Sequence, residues 1–154
     1  MIQNVKKILA PIDFSEHSME AMRGARELAK DVAAEVHLMH VIAPHHTFIP
    51  LPLATNAEQS RELAREAAMI EQAEEELARI KKDEFGDSNK VFTYAVVGHP
   101  VDKLANYAKE QSIDLILMAT HGRSGSELIH LGGTTEKLVR TAPCSVLVFR
   151  PRKQ

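Results

Sequence analysis

Five short apolar runs alternate along this chain with longer stretches whose apolar residues recur at helical spacing. The runs are residues 7–12 (KILAPI), 35–42 (EVHLMHVI), 91–97 (VFTYAVV), 115–119 (LILMA) and 145–149 (SVLVF). They are rich in strand formers and largely apolar on both alternate sets of positions, the pattern of strands buried on two faces. Between the first two, Met19, Met22, Ala25, Leu28, Ala29 and Val32 predict an amphipathic helix over 16–32, with Asp13 or Ser15 as its cap. After the second run, Pro44, Pro50 and Pro52 make residues 44–56 an irregular loop. The stripe Leu63, Ala67, Ile70, Ala73, Leu77 and Ile80 then predicts a helix over 57–85 that covers the sheet with its apolar face. Its many alanines argue against a coiled coil. Gly98, His99 and Pro100 open a third helix with Val101, Leu104, Ala105 and Ala108 inside, and a fourth runs near 134–140. Such alternation predicts an α/β fold: a single-domain, open, parallel five-stranded sheet with helices on both faces and right-handed crossovers.

With 154 residues there is room for one domain and no separate catalytic module. A net charge of -2 argues against a nucleic-acid groove, which needs a local excess of Lys and Arg. One cysteine, Cys144, permits no internal disulfide and suits a reducing compartment. The opening apolar run is too short for a signal peptide or a membrane span. The expected setting is therefore cytoplasmic, without membrane insertion.

In open parallel sheets ligands bind beyond the carboxyl ends of the strands, where the winding direction reverses. That rule predicts a site built from residues 11–15, 41–44 and 118–135. Its most informative part is residues 119–125 (ATHGRSG) followed by 131–136 (LGGTTE). Glycines admit close backbone approach, and a helix that starts near Thr134 turns its unpaired N–H groups and positive dipole end toward the same space. An anion cradle results. A glycine loop that only permits turns is the competing account, and the position after a strand and before a helix favours the cradle.

Here the sequence resembles the universal stress proteins, over essentially its whole length. Nucleotide-binding members of that family show G-x-x-G, nine residues, then G-[ST]. This chain has Ala119, Gly122, nine residues and Gly132–Gly133, so alanine replaces the first glycine and Gly133 replaces the hydroxyl residue. Thr134 and Thr135 are the neighbouring hydroxyls. The start KILAPIDFSEHS and the end APCSVLVFRP resemble the family's first and last strands. The resemblance implies a Rossmann-like, nucleotide α-hydrolase-like sheet of order 3-2-1-4-5. It implies that Pro11, Asp13 and Val41 frame adenine and ribose. It also implies that Ala119, Thr120, His121, Gly122, Arg123, Ser124 and Gly125, with Gly133, Thr134 and Thr135, hold the phosphates of ATP with Mg2+ or Mn2+, and that Met118 and Gly132 belong to the same nucleotide site. On the residues alone, Asp13 reads equally well as a helix cap, and it can do both.

Other chemistry is weakly signalled. His37 and His40 fall on opposite faces of a strand and cannot chelate one ion, while His45 and His46 have no cysteine or carboxylate beside them. No metal site is expected. A triad of Ser124, His121 and Asp13 lacks a nucleophile elbow, and no Walker lysine motif is present. Cys144 reads as packing. The expected function is therefore an adenine-nucleotide sensor or regulatory module in stress response, hydrolysing ATP slowly at most. A dimeric interaction protein that has lost nucleotide binding is the alternative, and a small hydrolase a more distant one. Val146, Leu147, Val148 and Phe149 form an apolar edge strand, which predicts a homodimer that hides it; the family resemblance implies the same arrangement.

Overall fold

The computed structural model describes residues 4–44, 55–120 and 131–150. Nine elements follow in order: β1 (Lys7–Pro11), α1 (Glu16–Val32), β2 (Glu35–Ile42), α2 (Asn56–Phe85), β3 (Val91–Val97), α3 (Pro100–Glu110), β4 (Leu115–Ala119), α4 (Gly133–Thr141) and β5 (Ser145–Phe149). All strand pairs are parallel and the sheet order is β3-β2-β1-β4-β5. The winding direction reverses between β1 and β4, which are neighbours in the sheet but far apart in the chain.

Alternation along the strands divides the core in two. On one face Ile8, Ala10, Val36, Leu38 and Leu117 pack against Ala21, Met22 and Ala25 of α1 and Ala73, Leu77 and Ile80 of α2. On the other, Leu9, Met39, Ile116 and Met118 meet Leu104 and Ala108 of α3 and Leu138 of α4. The interior strand β4 is buried along its whole length, whereas β3 and β5, at the edges, expose alternate residues. At β5, Gly24 of α1 lets the helix approach the Phe149 ring: a Cβ there would lie 3.0 Å from it. Arg23 and Arg26 of α1 both pair with Glu84 near the end of α2, which ties together the two helices of that face.

The predicted stripe of α2 is only half used. Ala73, Leu77 and Ile80 are buried, but Leu63 is 67% exposed and Ala67 is exposed too. The reason is length: thirty residues make a helix of about 45 Å, whereas the seven residues of β3 span roughly 23 Å. The first turns of α2 overrun the sheet. They are secured instead by a capping box, in which the Thr55 amide donates to Glu58 Oε2 (2.7 Å) and the Glu58 amide donates to Thr55 Oγ1 (3.2 Å).

Candidate functional site

β1 leaves the sheet in a turn that is fixed by side chains. The Ile12 amide makes one last bond to the Met39 carbonyl (2.8 Å), and Phe14 then takes a left-handed conformation, φ 64°. A bulky residue holds such a conformation only where its surroundings enforce it. The Asp13 carboxylate accepts the Ser15 amide (2.9 Å) and the Ser15 hydroxyl. Ser15 in turn caps α1, accepting the Ser18 amide at 3.2 Å, while Ser18 Oγ donates to the Ser15 carbonyl and accepts from the Asp13 amide. Of the two candidate caps, Ser15 is therefore the N-cap and Asp13 is the group that holds it.

α4 begins on the opposite principle. Its N-cap is Gly132, with no side chain to offer, so the first amides of the helix have no intrahelical acceptor. The Gly132 amide donates to the Thr120 carbonyl (2.8 Å), which fixes the start of α4 beside the end of β4. Among the described residues, nothing lies within 4 Å of a Cβ built on Gly133. The Thr135 hydroxyl, expected as a substitute phosphate donor, instead donates to the Ala119 carbonyl (3.0 Å) from a buried position. Thr134, half-buried, is left as the hydroxyl of this turn that can meet a ligand.

Both ends open on one cavity of about 380 Å³ at the carboxyl ends of β1, β2 and β4, within the range of small-molecule sites. Of the residues singled out in the sequence, Pro11, Asp13, Val41, Met118, Ala119, Gly132, Gly133, Thr134 and Thr135 line it. Thr120 stands just behind through its bond to Gly132. His121, Gly122, Arg123, Ser124 and Gly125 lie outside the described residues, as do His45 and His46. Ile12, inside the predicted 11–15 segment, lines it too, and the walls also include Ser18, Met39, Pro100 and Leu104, which sequence reasoning missed. Alternation from Val41 pointed to Met39. Leu104 was legible only as an inward helix residue. The lining is chiefly apolar, with Asp13 at one end and exposed amides at the other, and it suits a flat apolar ring attached to an anion.

The remaining candidates are structural. His37 and His40 do face opposite sides: the His37 Nδ1 meets the Tyr107 hydroxyl at 2.9 Å, while the His40 ring lies against Phe14. His37 Nε2 is buried without a hydrogen-bond partner among the described residues, 3.6 Å from Glu35, and burial pushes the His37 pKa down. Burial pushes the Cys144 thiol up, which favours the unreactive form. No helix among the described residues is long and apolar enough to cross a membrane.

Comparison with known proteins agrees with this geometry. The universal stress protein family pattern matches residues 4–150. Universal stress protein MJ0531 of Methanocaldococcus jannaschii is 37% identical over 152 residues, covering 97% of this chain and 85% of that protein. The solved structure of MJ0577, from the same organism, superposes with a TM-score of 0.82 at 29% identity, covering 97% of this chain and 99% of its own. A universal stress protein solved in complex with cAMP shares the fold at TM-score 0.61 and 21% identity, covering 94% of this chain and 96% of its own. With sheet order, crevice and sequence in agreement over nearly its whole length, this chain belongs to the universal stress protein family.

Proposed function

We propose that this protein binds an adenine nucleotide, ATP in the first instance, and acts as a sensor or regulatory module in stress response rather than as an enzyme. The observation that carries this is the convergence on one cavity of Asp13, Val41 and the start of α4, which no side chain among the described residues caps. Adenine occupies the apolar part between Pro11, Val41 and Met118, and Asp13 accepts from ribose or base. The phosphates meet the amides of Gly133, Thr134 and Thr135, where backbone donors and the helix dipole favour negative charge. That a family member has been solved with cAMP is consistent with the fold hosting such ligands. A divalent cation would be held mainly by the phosphates, since Asp13 is the one carboxylate among the described lining residues; it would neutralise phosphate charge. Hydrolysis is slow at most, for no Walker lysine is present and nothing in the described lining is placed as a base for an attacking water.

One observation favours a second reading, a family member that works through protein contacts alone: Gly133 removes a phosphate-bonding hydroxyl. Mass spectrometry of the natively purified protein separates the two. Adenine nucleotide retained near one per chain supports the first, and an empty site that also ignores added ATP supports the second.

In either case we infer a homodimer through β5. The strand is an edge without charged residues, with Leu147 41% exposed and Val139 of the adjacent α4 49% exposed, and an unpaired apolar edge invites association. Val148→Lys is expected to give a monomer or an insoluble chain. An unchanged dimer by light scattering removes this strand from the interface.

A further inference from the structure

β2 sends Met39 and Val41 into the cavity and His40, between them, to the reverse face of the sheet. His40 does not line the site. Its ring nevertheless touches the β1–α1 turn twice. Nδ1 lies 2.6 Å from the Ile12 carbonyl, which can only accept, so Nδ1 carries the proton. Ile12 is buried one residue past the end of β1, where a carbonyl still needs a donor. The same ring packs on Phe14, centroids 4.4 Å apart and planes at 43°. His40 thus grips the residue before Asp13 and the residue after it, the second in the left-handed conformation that only its surroundings can maintain.

We propose that His40 is a positioning residue for ligand binding: from behind the sheet it fixes the backbone on both sides of Asp13 and so aims the Asp13 carboxylate into the crevice. This rests on the crevice being the adenine-nucleotide site. The role is distinct from that of Ser15 and Ser18, which secure the turn from the α1 side. Because Asp13 serves the nucleoside end, His40 affects ATP and adenosine alike, and its effect vanishes once Asp13 is gone.

The test is calorimetric titration of the full chain with ATP and with adenosine, for wild type, His40→Leu, His40→Asn, Asp13→Ala and the double variant Asp13→Ala/His40→Leu. His40→Leu is expected to weaken both ligands by a similar factor, on the order of tenfold, the value of one well-placed hydrogen bond. His40→Asn, whose side-chain amide donates as Nδ1 does, stays close to wild type. In the Asp13→Ala background, His40→Leu changes nothing further. Additive losses in the double variant overturn the proposal, since coupled residues do not add. So does a His40→Leu chain that melts earlier but binds as before. Should His40→Leu fold poorly, Phe14→Ala removes the other contact and is held to the same two outcomes. A wild type that binds neither ATP nor adenosine overturns the nucleotide site itself and this inference with it, an outcome distinct from binding with additive losses.

Discussion

At the β1–α1 turn, Asp13, Ser15, Ser18 and His40 hold the backbone through their side chains; at the start of α4, Gly132 and Gly133 have no side chains to offer, and the helix's first residues, whose amides lack intrahelical acceptors, line the cavity. The first end fixes one carboxylate in one direction, which suits discrimination of a sugar or base. The second presents several equivalent donors and a dipole, which suits a phosphate of any attachment. One end is therefore sensitive to losing a side chain, and the other is open to gaining one.

The largest effect tests the first half of that contrast. Asp13→Ala is expected to cost on the order of 1 to 3 kcal/mol of nucleotide affinity and, by loosening Ser15, about 1 kcal/mol of stability. Titration beside thermal melts separates the two. A lower melting temperature with unaltered affinity would make Asp13 a support for the cap and nothing more.

Next in size is the second half. Among the described residues nothing crowds the Gly133 Cβ, and its φ is not positive, so serine takes this backbone without strain. Gly133→Ser is expected to tighten ATP by about 1 to 2 kcal/mol, the worth of a hydrogen bond to a charged acceptor, and to leave adenosine unchanged. Equal tightening of both ligands would show that residue 133 does not face the phosphates.

A smaller change sharpens the division of labour within the first end. Ser15→Ala removes the N-cap of α1 and is expected to cost about 1 kcal/mol of stability, with less loss of affinity than Asp13→Ala. The reverse ranking would place the ligand contact on Ser15.

Much of this arrangement is legible in the sequence. Apolar runs bounded by turn residues mark β2, β3, β4 and β5 at their observed bounds, because burial on two faces leaves little ambiguity in a short segment. The overrun of α2 is not legible: periodicity reports that Leu63 and Ile80 share a face, but not that the sheet ends before it reaches Leu63. At the site, the glycine signature and Asp13 announce both ends. The side walls, Ser18, Pro100 and Leu104, come from helices whose inner faces look like ordinary core until the topology sets them over the strand ends. In the sequence His40 reads only as a rejected metal ligand, since its contact with the Ile12 carbonyl joins residues 28 apart, across α1, and no local pattern encodes it.

The smallest effect lies away from both ends and serves as their control. His37, buried and held by Tyr107, has a pKa pushed down by desolvation, so the unfolded chain takes the proton first. Stability is fully present above the ordinary histidine value of about 6.5 and falls as pH drops below it toward the folded value. Melting curves between neutral and mildly acidic pH are expected to drop more for wild type than for His37→Gln, which does not titrate. Parallel curves would mean that His37 is not the group responsible.

The central claim, that one ligand spans both ends of the crevice, is met most directly by following backbone amide resonances while ATP and then adenosine are added. Saturable shifts at Asp13 and Val41 with both ligands, and at Gly133, Thr134 and Thr135 with ATP alone, are the expected result. Shifts with ATP that never reach the start of α4, or no saturable shift at either end, would contradict it.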